Sequence, residues 1–112
     1  MIKVTVVEDR FWFKTFVQYV AENGKSVYEV SGKLTTRDEG NRVFREALAS
    51  HPGATVGTNV VGADNIDILK KLKDSIDPYT QYIDDWGQQK AAERENERIR
   101  EIIAAFEKVA KN

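Results

Sequence analysis

The chain has 112 residues, 41% apolar and 31% charged, with 17 Lys and Arg against 18 Asp and Glu, and no Cys. This composition excludes a disordered tail, a disulfide scaffold and thiolate chemistry, and the length suits one domain, 1–112, with its own core. The charge is near neutral on both sides of Gly53, without the single-sign field of a strong nucleic-acid binder.

Residues 2–8 alternate, with Ile2, Val4 and Val6 on one side and Lys3, Thr5 and Val7 on the other, which is a strand pattern. This alternating, early-charged start differs from a secretory leader. No apolar run approaches the ~20 residues of a membrane span, so a cytoplasmic protein with no membrane partner is expected. Residues 11–20 and 26–34 are rich in aromatic and β-branched types, and Asn23-Gly24 between them favours a two-residue hairpin loop. That loop would set Tyr19 opposite Tyr28, Val17 opposite Val30 and Phe13 opposite Leu34 on one apolar face. The other face would carry Phe16 with Ser31 and Lys14 with Lys33. A tight turn at Glu8-Asp9-Arg10 would place Val6 beside Phe13 and Ile2 beside Val17. The expected core face is therefore Ile2, Val4, Val6, Phe13, Val17, Tyr19, Tyr28, Val30 and Leu34. Residues 10–22 also fit a helix capped by Asp9, with a stripe of Trp12, Phe13, Phe16, Val17 and Val20. β-branched and aromatic crowding favours the sheet.

Thr36 with Glu39 fits a capping box ahead of a helix over 36–50 that carries Val43, Phe44, Ala47 and Leu48. Residues 54–61 read as a short strand. Asp64 or Asn65 caps a helix over 65–76 with Ile68, Leu69, Leu72 and Ile76. Asp77-Pro78 resembles a cap followed by a first-turn proline, and little but Gly87 interrupts a helix over 78–110. Unbroken, that helix would span roughly 50 Å, so it either projects or breaks near Gly87. The expected fold is α+β: an antiparallel β-meander of three or four strands (2–34) packed with helices, with a long C-terminal helix.

Three features bear on function. If Phe13 and Val17 face inward, Trp12, Lys14 and Phe16 face outward near Val27 and Lys33. Aromatics interleaved with Lys suit a protein partner, or bases and phosphates. A second layer over that face is the structural alternative. The stripe of Ile99, Ile102, Ile103, Phe106 and Val109 either packs back on the domain or joins a partner helix, including that of a homodimer. Asp64 and Asp77 are explained as caps and Asp84-Asp85 as a helix surface. His51 stands at a helix end, and with one His and no Cys a structural zinc site has no ligand set. Gly53, Gly57 and Gly62 match neither a phosphate loop nor a dinucleotide fingerprint. No catalytic, metal or cofactor site is expected.

Three strands and a helix over 2–50, with Asn23-Gly24-Lys25 in the hairpin and Thr36-Arg37-Asp38-Glu39 before the helix, resemble in layout the DNA-binding arm domains of phage-type integrases. The resemblance spans less than half of the chain. Those domains are basic on the exposed sheet face, and this chain is nearly neutral. By size and layout it also resembles small phage-encoded inhibitors. The expected function is a non-enzymatic protein-binding module, an inhibitor or adaptor, with nucleic-acid binding through the aromatic and basic sheet face as the alternative.

Overall fold

The structure is a computed structural model and describes residues 1–111. In chain order the elements are β1 (Ile2–Asp9), β2 (Trp12–Val20), β3 (Ser26–Val30), β4 (Lys33–Thr35), α1 (Arg37–Ser50), β5 (Thr55–Val61) and α2 (Asn65–Asp74). A single 3-10 turn (Thr80–Tyr82) and α3 (Trp86–Ala110) complete the chain. The fold is α+β, with five antiparallel strands in the order β4-β3-β2-β1-β5. Helix α1 packs on one face of the sheet. Helices α2 and α3 pack on each other on the opposite face, and α3 runs beneath β3 and β4.

The count of five strands comes from a second hairpin. The expected strand over 26–34 breaks at Ser31-Gly32, where both residues have positive φ (48° and 84°), and the chain folds back as β4. The two-residue loop foreseen at Asn23-Gly24 thus lies eight residues further on. At the first hairpin only Gly24 has positive φ, at 85°. The Gly24 N–H donates to Ala21 O and the Ala21 N–H to Lys25 O, so the loop has three residues, Glu22-Asn23-Gly24. This is a type I turn closed by a left-handed glycine. One extra loop residue moves the register by one and exchanges the faces of β3. Tyr19 therefore pairs with Val27, Val17 with Glu29 and Phe16 with Val30.

The β1–β2 turn is at Arg10-Phe11, so Ile2 pairs with Tyr19 and Val6 with Thr15. This differs from the expected register by two residues, which preserves the faces. The core unites Ile2, Tyr19, Ala21 and Val27 with Ile68 and Leu72 of α2 and Ile99, Ile102, Ile103 and Phe106 of α3. Val4, Val17 and Leu34 pack at its margin. Four expected core residues lie outside this cluster, among them Val6, which is half-buried. Phe13 is 66% exposed at the end of β2, and Tyr28 and Val30 are half-buried on the α1 face.

Two of the three expected helix caps form. Thr36 Oγ1 accepts from the Glu39 N–H at 3.2 Å, and Asp64 Oδ1 from the Asp67 N–H at 2.8 Å. The Glu39 carboxylate pairs with Arg42 rather than returning to Thr36, so the box is half formed. The last helix starts at Trp86 rather than Pro78. Asp85 Oδ1 takes the cap, accepting from the Gln88 N–H at 2.9 Å, and Gly87 sits inside the first turn without breaking it. Asn96 holds the preceding segment: its Nδ2 donates to Asp77 O at 2.8 Å, and its Oδ1 accepts from the Asp77 N–H at 2.9 Å.

Candidate functional site

Trp12, Lys14, Phe16 and Lys33 do share a face of the sheet, and α1 lies over it. Phe16 meets Phe44 edge-on, with ring centroids 5.3 Å apart. Trp12 stacks in parallel on His51 at 3.9 Å, and Lys14 Nζ stands 5.9 Å from the Trp12 ring. Both aromatics are half-buried. The covering layer is thus the first helix, and much of the expected aromatic surface anchors it. Val27 is a correction: the register change turns it to the other face, where it is 4% exposed in the core. Ile99, Ile102, Ile103 and Phe106 are likewise buried in the same core, with Val109 packed beside them. The α3 stripe is occupied by the chain's own sheet and α2.

His51 ends α1, and its Nδ1 lies 3.1 Å from Asp9 Oδ2. The Asp9 carboxyl is held below its usual range, chiefly by the Arg10 N–H and then by His51. Together with the Trp12 stack, this pair fastens the end of α1 to the β1–β2 turn. On the opposite face Glu29 is half-buried and bonded to the Tyr19 hydroxyl. Burial is the main cause that raises the Glu29 carboxyl, and the Glu95 charge adds to it. Burial likewise pushes the Tyr19 hydroxyl upward. Among the described residues no three or more His, Cys, Asp or Glu stand together as metal ligands, and no helix is long and apolar enough to cross a membrane.

Beside α1 a cleft of about 210 Å³ opens between its N-terminal half and the sheet. Lys3, Arg37, Gln18 and Tyr28 line it, with Phe16 and Phe44. Lys14 and Lys33 line a neighbouring depression with Arg98.

Another open surface is β5, which the sequence marks only as a short strand. All seven of its residues are exposed, and among the described residues β1 is the only element it packs against substantially. Val56 is 49% and Val60 53% exposed. Among the described residues no strand pairs with its outer edge. The direction of its backbone groups follows from the register. Met1 and Val20 exchange both backbone hydrogen bonds, so the odd residues of β1 bond to β2 and the even ones to β5. Ile2, Val4, Val6 and Glu8 pair with Val61, Asn59, Gly57 and Thr55. The N–H and C=O groups of Val56, Thr58 and Val60 therefore point outward along the free edge.

Proteins usually blunt such an edge with Lys, Pro, a bulge or short length. At the other end of the sheet β4 does so, with three residues beginning at Lys33. Strand β5 carries none of these devices, and no charged residue occurs anywhere in 53–63. That uncharged run, in a chain 31% charged, was the available sequence signal for this surface. No family model matches the chain, and neither a curated protein nor a solved structure matches it.

Proposed function

We propose that the protein is a non-enzymatic protein-binding module, an inhibitor or adaptor, that docks its partner along the open edge of β5. The observation that carries this reading is a seven-residue, uncharged edge strand with outward backbone groups at Val56, Thr58 and Val60, on which no helix packs substantially among the described residues. Strand addition supplies affinity through main-chain hydrogen bonds, with side chains on alternate positions for selectivity. Lysine on such an edge opposes pairing. Val60→Lys should leave the circular dichroism spectrum and melting temperature nearly unchanged, because Val60 is half exposed. It should lower partner capture at least tenfold, and undiminished capture by the folded variant rejects the edge. Serine at Trp12 and Phe16 is a poorer test, because both hold α1.

A second reading, nucleic-acid binding, draws support from Lys3 and Arg37 lining one cleft with Phe16 and Tyr28. It requires binding that weakens steeply with salt, and no binding of DNA or RNA at low salt removes it.

A further inference from the structure

We infer that the occupant of the β5 edge is a second copy of the same chain, paired antiparallel about a two-fold axis at Thr58. This rests on reading that edge as the docking surface.

The argument is one of self-complementarity. A two-fold dimer sets a surface against itself, so the strand must read alike in both directions. The outward residues are Val56, Thr58 and Val60, a palindrome. Centred on Thr58, an antiparallel pair places Val56 opposite Val60 of the second copy and Thr58 opposite its own copy. Each of these is a pair that exchanges both hydrogen bonds, about six in all. Displacing the axis to Gly57 or Asn59 strands part of one Val on each side, so Thr58 is the register with every outward group satisfied. The opposite face then sets Gly57 against Asn59 and Thr55 against Val61. No charge meets a like charge in any of these pairs, because 53–63 contains none. A heterologous partner requires no such symmetry. Val–Val and Thr–Thr cross-strand pairs are each favourable in a sheet. Neither helical layer packs substantially on β5, so nothing in the described chain stands over the joint. The product is a continuous ten-stranded sheet. A strand-only contact buries less than the usual ~1,600 Å² of a stable interface, so the dimer should dissociate on dilution.

The chain lacks Cys, which permits a direct geometric test. Across this axis the Cα atoms of residue 58 stand about 5.5 Å apart, within the range a disulfide spans. Residue 56 is more than about 10 Å from its own copy. Thr58→Cys should therefore oxidise to a disulfide-linked dimer, and Val56→Cys should not. Sedimentation of the wild type should give a mass rising from one to two copies with concentration. Thr58→Pro removes only an outward N–H, which an edge strand tolerates, and it should sediment as a monomer. Val60→Lys should do the same with its spectrum unchanged. A wild type that stays monomeric to about 1 mM overturns the inference, as does a dimer that survives both substitutions. If the wild type is monomeric but Val60→Lys still abolishes capture of another protein, self-pairing fails and the docking edge stands. If capture is also insensitive to Val60→Lys, both fail.

Discussion

At the scale of single residues, Asn96 has the clearest energetic role. It is 5% exposed and satisfies both backbone groups of Asp77. Replacing it with Leu would leave that N–H and C=O without their partner beside α3, at about 1–3 kcal/mol. Urea unfolding should show that loss, together with faster proteolysis across 77–85. Glu29 works in the opposite direction. Its folded carboxyl is raised above its ordinary value of 4.5, so the native state holds the proton more tightly than the unfolded chain. The resulting stability is present below about pH 4.5 and is lost as pH rises through the raised value. Glu29→Gln keeps an acceptor for Tyr19 and removes the buried charge. The variant should be more stable than the wild type at pH 7, with the difference closing towards pH 4. Asp9 has the reverse sign: its lowered carboxyl adds stability above its ordinary value that is lost as pH falls. A difference between Glu29→Gln and wild type that does not vary with pH would contradict this assignment.

At the scale of elements, a single loop residue decided the largest error of the sequence reading. Asn-Gly marked the hairpin correctly but did not specify whether its loop held two residues or three. Gly24 alone has the left-handed backbone there, and a Cβ on it would meet nothing within 4 Å. Gly24→Ala should therefore cost about 1 kcal/mol through backbone conformation alone, with no steric term. Thermal unfolding checks this. A neutral result would mean that the loop relaxes to another turn. The register shift then explains the misplaced residues of β3 together: Val27 enters the core, while Tyr28 and Val30 go to the α1 face. Caps were easier to read where the pattern is local: Thr36 and Asp64 act within three residues of the groups they bind, whereas Asp85, expected on a helix surface, caps the last helix instead of Asp77. Asp77-Pro78 misled for the opposite reason. Its backbone is held by Asn96, nineteen positions away, and no local pattern reveals that.

At the scale of the whole molecule, the layers were only half legible. Periodicity identified the apolar stripes of α2 and α3 and, on the meander, the core-side positions Ile2, Val4, Val17, Tyr19 and Leu34, but not the core face of β3. It did not tell which helix covers the second face, since Trp12 and Phe16 look alike whether they bind a partner or hold α1. Their partners Phe44 and His51 lie some thirty to forty residues away in the chain. The open edge was equally hidden, because strand order is a property of the assembled sheet.

The position of β5 also bears on how the molecule forms. Strands β1 to β4 are consecutive neighbours joined by short turns, whereas Val6 must wait for Gly57, about fifty residues on. Loop closure of that length makes β5 the late strand. In pulse-labelled exchange its amides should gain protection after those of β1–β3, and simultaneous protection would refute this order. Until β5 arrives, the vacant side of β1 accepts an identical segment from any neighbouring chain. Refolding at high concentration should therefore favour exchange of β5 between chains, and dilution should suppress it.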